Sequence, residues 1–451
     1  MSYKLSIVKN KMMKRIINIL ILLCCIASLS SCGNSTEERS RVLKIYNWAD
    51  YIDEDVLAEF PDWYKQQTGE DLRIIYQVFD INEIMLTKIE RGHEDFDVVC
   101  PSEYIIERML RKDLLLPIDR NFGHTPDYIP NVSPYIRHEL NKTSQPERQT
   151  EDYAVPYMWG TAGILFNKKF ITAEEAGTWD ILWDSKNRGK ILMKDSYRDA
   201  YGTAIIYAHA RELADSTVTV EQLMNDNSPQ AIALAEQRLK EMKPNIAGWE
   251  ADFGKEMMTK NKAWINFTWS GDAVWAIEEA DAVGVELDYT VPCEGSNIWY
   301  DGWVIPRYAR NVKAASYFIN YLCQPSVALR NISAVATPEI MEAKTDTTLD
   351  VHSDLSYFFG PLPGADSLQI DPVQYPDRRV VERCAMIRDF GDRTELVLEM
   401  WSRVKGDNLN TGIVLLIFAV FGLLFIWLVY AKIRKYKQKR HHRLRRKRKR
   451  G

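Results

Sequence analysis

From residue 42 onward the apolar residues form short β-branched and aromatic runs. These alternate with stretches whose apolar positions recur every three or four residues. The alternation predicts α/β layers around a mostly parallel sheet. Residues 42–46 read as a strand, 53–68 as a helix closed by Gly69, 73–79 as a second strand, and 82–91 as a helix with Ile84, Met85 and Ile89 on its apolar face. A third strand is expected at 96–100, ended by Pro101 and Ser102, and a helix at 104–111. Pro126, Pro130, Pro134 and Pro146 break the rhythm, so 121–151 reads as irregular connection. Beyond it 153–157, 163–166, 191–193, 263–267 and a pair around 298–305 read as extended, and 228–242 and 312–322 as helices. Two lobes joined by two or three chain crossings, near 151–157 and 299–306, fit this order.

The two ends depart from the pattern. Lys11, Lys14 and Arg15 precede an apolar run at 16–26 and then Leu29, Ser30, Ser31 and Cys32, the arrangement of a signal peptide that looks like a bacterial lipobox. Cys32 is then the lipid-carrying first residue of the mature chain, on a polar leash over 33–40. Residues 413–430 are apolar without a charge, about 27 Å long as a helix at ~1.5 Å per residue, which matches a bilayer core. Trp427 and Tyr430 stand where interfacial anchors belong, and the basic tail behind them places the C-terminus in the cytoplasm and the body outside.

At 451 residues and 46% apolar content the chain can build two lobes with cores of their own. Its net charge of −4 conceals a segregation, because residues 1–15 carry five Lys or Arg, 432–451 carry thirteen, and 16–431 carry −22. An acidic body concentrates multivalent cations and argues against nucleic acid as its ligand. Cys100, Cys293, Cys323 and Cys384 remain in the body with no zinc-like spacing, which leaves disulfides or free buried thiols open.

Signals for catalysis are missing: there is no nucleophile elbow, phosphate loop, dinucleotide fingerprint or paired-histidine zinc motif. Body histidines 93, 124, 138, 209 and 352 are scattered as surface residues would be. Three aromatic and acidic clusters stand out instead: Trp48, Asp50 and Tyr51; Trp269, Asp272 and Trp275; Trp299, Asp301 and Trp303. Each follows a strand-like run, where open α/β sheets bind ligands. Any single cluster reads equally as a packed tryptophan beside a helix-capping aspartate, and three at equivalent positions weigh against that. Ring faces attract an organic cation and carboxylates give it charge-assisted hydrogen bonds. A diamine buried in a cleft loses two hydrated charges, so it needs a carboxylate at each end. Asp50, Asp272 and Asp301, with Asp199, supply such anions, and Trp48, Trp269 and Trp299 the walls.

Together with Phe79, Asn82, Glu83 and the stretches 96–102, 155–160 and 401–406, these clusters resemble the spermidine/putrescine-binding proteins of bacterial polyamine ABC importers. The resemblance implies a type II periplasmic-binding-protein fold of two α/β lobes with the ligand cleft between them, no enzymatic activity and no cofactor or metal. It implies a polyamine ligand, an ABC permease partner, and a monomer on the periplasmic face of a bacterial membrane. Carried over by position, the ligand contacts fall on Trp48, Asp50, Tyr51, Ser102, Tyr104, Asp199, Trp269, Asp272, Trp299 and Asp301. Trp269, Gly271 and Asp272 are closer to the putrescine-preferring branch. Ala49, Ser196 and Val335 depart from the family, Ser196 standing where the spermidine branch has an acid. Residues 1–31 are then the signal peptide, 32–40 a linker, 41–153 and 299–340 one lobe, and 154–298 and 341–408 the other. Residues 411–431 form a transmembrane helix, outside the usual family pattern, and 432–451 a cytoplasmic tail. The rival readings are a membrane-tethered polyamine sensor and a receptor of the same fold for another organic cation.

Overall fold

The computed structural model describes residues 39–335, 371–406, 418–425, 427, 430 and 432. Ten strands lie in one sheet system: β1 Val42–Trp48, β2 Arg73–Phe79, β3 Val98–Val99, β4 Leu115–Leu116, β5 Ala154–Asn167, β6 Ile191–Lys194, β7 Ile246–Glu250, β8 Ile265–Trp269, β9 Leu287–Thr290 and β10 Ile298–Pro306. Their order is β2-β1-β3-β10-β5-β8-β6-β7, with β4 beside β10 and β9 beside β5. β1 pairs in parallel with β2 and β3, and β6 with β7 and β8, whereas β5 and β10 run antiparallel to every partner.

Two α/β halves result. In the first, β1 is buried along almost all of its length because helices cover both of its faces. The helix Glu54–Thr68 turns Val56, Phe60 and Tyr64 inward at four-residue spacing, its start capped by Asp53 and its end by Gly69 at φ 75°. Phe60 packs edge-on against Phe318 of the helix Val312–Leu322 at 5.1 Å. Burying such a ring stabilises by roughly 2–3 kcal/mol. The second half is centred on Leu165, Leu192, Met258, Ala273 and Ala276.

β5 belongs to both halves. Its first part, from Ala154 to Thr161, pairs with β10 from Ile298 to Val304, and its last part, Ala162–Asn167, pairs with β8 and β9. The two extended pieces expected at 153–157 and 163–166 are one strand, continuous through 158–162. A Cβ at Gly160 would lie 2.3 Å from Ser270 Oγ and 2.5 Å from the Trp299 ring, so glycine marks a close approach inside a continuous strand. β10 is likewise one strand, with a register shift between Asp301 and Gly302. A further connection lies near 385–389. Arg388 is bidentate on Glu107 of the first half, while its N–H donates to Asn225 of the second.

The segment expected to be irregular holds a helix, Pro134–Asn141. Pro134 sits at the first turn behind Ser133, where proline starts a helix rather than breaking one. All four body cysteines are free, and Cys293 is exposed rather than buried. The chain divides into two compact units, Met1–Thr394 and Glu395–Gly451. Among the described residues no helix is long and apolar enough to cross a membrane. Of the expected span 411–431 only 418–425, 427 and 430 are described, with 418–425 helical, so the structure does not show that span. The expected signal peptide, Cys32, most of the linker, 336–370 and the tail beyond 432 lie outside the described residues.

Asp97 ties the first half together. It is fully buried and accepts from the backbone N–H groups of Lys44, Arg310 and Asn311 at 2.8 Å each, and from Arg39 at 2.9 Å. Asp97→Ala leaves three backbone donors and the Arg39 guanidinium without their buried acceptor and should lower the unfolding free energy by about 3–5 kcal/mol, measured by urea denaturation.

Candidate functional site

A cavity of about 420 Å³ opens between the two halves, and all ten residues expected at a binding site line it. They arrive from ends of strands and starts of helices. Trp48 closes β1, and Asp50 and Tyr51 follow in the turn. Ser102 caps the helix Glu103–Arg111, which carries Tyr104. Asp199 is in the first turn of the helix Tyr197–Ala208, and Trp269 ends β8 and caps the helix Ser270–Asp281 that carries Asp272. Trp299 and Asp301 lie within β10 rather than in the expected loop, and the bulge at Asp301 re-aims the chain beside the cavity.

The four expected anions are not equivalent. Asp301 is buried, and that burial raises its pKa to about 7 even though the hydroxyls of Ser102 and Tyr51 favour the charged form. Tyr51 donates to Asp301 Oδ2 at 2.9 Å, while Oδ1 has no hydrogen-bond partner among the described residues. Burial holds the Tyr51 phenol well above its usual pKa, so it stays a donor. Asp199 is also buried and raised by burial. It accepts from Trp269 Nε1 at 3.2 Å and from Asn297 at 2.9 Å. Asp50, at φ 50°, stands exposed at the rim, 3.5 Å from Lys255. Asp272 is taken: Lys194 Nζ lies 2.5 Å from its Oδ2.

Lys194 was not foreseen. It ends β6, is almost wholly buried, contacts Glu250 at 3.2 Å, and sits 4.6 Å from the centroid of the Trp269 ring. Burial pulls its pKa down, but Asp272 and Glu250 outweigh that and leave it raised, so the amine is charged. Glu83 and Glu103 were also missed as lining groups. Tyr104 donates to Glu83 at 2.7 Å, and Asn82 bridges Ser102 at 3.0 Å and Tyr104 at 3.3 Å. Glu103 accepts from the Tyr300 N–H, and burial raises its pKa well above the usual carboxylate range. A polar residue beside a strand end in the sequence carries no local sign of these partners, which come from other elements.

Aromatic rings form the remaining walls. Trp48 packs on Phe79 at 4.5 Å and edge-on to Trp269 at 6.1 Å. The Trp299 ring lies against the backbone of Gly160. Among the described residues no group of acids, cysteines or histidines is placed to hold a metal. Chemically the cavity is an apolar, aromatic sleeve with buried carboxylates, suited to an organic cation.

Residues 62–338 match the family of bacterial extracellular solute-binding proteins. The spermidine/putrescine-binding periplasmic protein of Salmonella typhimurium is 26% identical over 372 residues, covering 81% of this chain and 92% of that protein. The putrescine-binding periplasmic protein of Escherichia coli is 28% identical over 316 residues, covering 66% and 80%. The solved spermidine/putrescine ABC transporter substrate-binding protein of Streptococcus pneumoniae superposes with a TM-score of 0.57 at 28% identity, over 81% of this chain and 98% of that one. Its likeness extends the periplasmic-binding-protein fold across the described body.

The raised pKa of Asp301 has a consequence for stability. A carboxyl near 7 in the folded state and 3.8 unfolded contributes stability that is complete below pH 3.8 and is lost as pH rises through 7. Asp301→Asn, which mimics the neutral form, should therefore match the wild type near pH 4 and exceed it at pH 8 by on the order of 3–4 kcal/mol, read by thermal unfolding across pH.

Proposed function

The chain belongs to the bacterial extracellular solute-binding proteins, and we propose that its solute is a polyamine, which it delivers to an ABC permease. The observation that carries this reading is Asp301: a buried carboxylate with one unpartnered oxygen, inside an aromatic cavity, gains most from a desolvated ammonium ion. The names of the Salmonella, Escherichia and Streptococcus relatives support the same cargo. Membership of this family makes the chain a binding protein rather than an enzyme and puts its body outside the cytoplasm.

The ten lining residues are the proposed contacts. Trp48, Trp269 and Trp299 would flank the methylene chain, and Asp199 and Asp301 would meet the ammonium groups. Putrescine is the proposed preference over spermidine, because Ser196 supplies no acid and Asp272 is already paired. Capture is proposed to proceed by closure of the two halves about β5 and β10, the ligand shifting the open and closed populations. Lipid on Cys32 and a helix over 411–431 would hold the receptor beside its transporter and raise the effective concentration.

Calorimetry with the full-length chain should find putrescine bound more tightly than spermidine. A tenfold preference for spermidine would overturn the putrescine assignment, and no binding of either would overturn the polyamine reading. Affinity should also depend on pH. An ammonium ion needs Asp301 ionised, so binding should weaken by up to about tenfold per unit as pH falls below 7, with protons released into the buffer on binding.

A further inference from the structure

Trp269 and Asp272 provide a ring face and a carboxylate, the pair of groups that recognises an alkylammonium ion, and an ammonium already sits on them. Lys194 Nζ is 2.5 Å from Asp272 Oδ2 and 4.6 Å from the Trp269 centroid. It also donates to the Ala251 carbonyl at 2.7 Å and lies 3.2 Å from Glu250 Oε1. These partners satisfy the three N–H bonds of the amine, and its side chain is 2% exposed, so it is held in place directly behind Trp269 and Asp272, which line the cavity.

We propose that Lys194 is a specificity-determining residue that occupies one ammonium subsite of the cleft and so restricts the cargo to diamines. The inference rests on the polyamine reading given above. The buried Asp199 and Asp301 have no lysine or arginine within ion-pair distance among the described residues, whereas the partly exposed Asp272 is engaged by Lys194, which it shares with Glu250. A triamine entering the sleeve would bring its third charge toward Lys194 and find no free anion there. The charge would be desolvated beside a like charge, which rejects the larger ligand without weakening the smaller one. Lys255, 2.9 Å from Asp252 and 5.0 Å from the centroid of the Trp275 ring, adds a second positive charge to the same wall.

The test is calorimetry of the full-length chain with putrescine and spermidine, for wild type, Lys194→Arg, Lys194→Met, and Lys194→Met combined with Glu250→Gln. The double variant removes the buried acid that the single change leaves uncompensated, and serves if Lys194→Met alone does not fold. Both methionine variants should gain at least about tenfold in spermidine affinity while putrescine changes by less than about threefold, and Lys194→Arg should keep the wild-type ratio. A parallel loss for both amines means a structural role only and overturns the inference, as does an unchanged ratio. A wild type that prefers spermidine overturns it while leaving the polyamine reading intact. A wild type that binds neither amine removes that reading and this inference together.

Discussion

Taking a carboxylate out of water is costly unless something replaces the lost hydration, and the centre of this protein is arranged around that cost. Asp301 lies within a strand shared by both halves, where burial raises its pKa to about 7. Two neutral hydroxyls soften the penalty without cancelling it, and one oxygen stays unpartnered among the described residues. Asp199 is treated in the same way, with an indole and an amide as donors and no ion-pair partner among the described residues. Asp272 shows the alternative, because a lysine ammonium, shared with Glu250, pairs with it directly. The cleft thus holds carboxylates of two kinds, and an arriving cation gains from those the protein leaves uncompensated.

The aromatic residues make that gain possible. A carboxylate in open water attracts an ammonium weakly, since the dielectric screens the pair. Trp48 from the end of β1, Trp269 from the end of β8 and Trp299 from β10 all line the cavity, so each half contributes rings that reduce the water around its carboxylates. Their positions are fixed by neighbours: Phe79 backs Trp48, Trp269 Nε1 is tied to Asp199, and the missing side chain of Gly160 leaves space for Trp299. Orienting the walls and orienting the anions are therefore one packing problem.

Much of this was legible in the chain. The helices Glu54–Thr68 and Val312–Leu322 and the strand Arg73–Phe79 carry clean periodicity and local stop signals, and all ten expected contacts came to one cavity. What stayed hidden depends on distant partners. The continuity of β5 through 158–162 was not visible, because nothing nearby in sequence reports that the Trp299 ring, 139 positions away, fills the place of a Cβ at Gly160. Lys194 looked like a polar strand end, and its burial follows from Glu250 and Asp272, which belong to other elements. The three acids of the motif clusters looked equivalent, yet one is exposed, one paired and one buried, because the pattern fixes side-chain type and not its counter-charge. Pro134 looked like a breaker because proline starts and stops helices with the same residue, and only the Ser133 cap distinguishes the two.

The distribution of charge across the cleft bears on how closure would be coupled to occupancy. Asp50 follows β1 in the first half and Lys255 sits on the helix Gly254–Thr259 of the second, so their 3.5 Å contact spans the mouth of the cavity. The Asp50 side chain is 78% exposed, and an ion pair that wet contributes at most about 1 kcal/mol. Such a contact can orient the two edges but cannot hold the halves shut. A ligand that touches Asp301 and Trp48 on one side and Asp199 and Trp269 on the other exchanges a weak surface pair for desolvated contacts on both. Its affinity then differs between open and closed states, which is the only way a ligand can shift their balance. Because β5 pairs with strands of both halves and β10 lies along its first part, the strands that would bend on closure also carry Gly160 and Asp301. A hinge there would share Asp301 with the lining of the cavity.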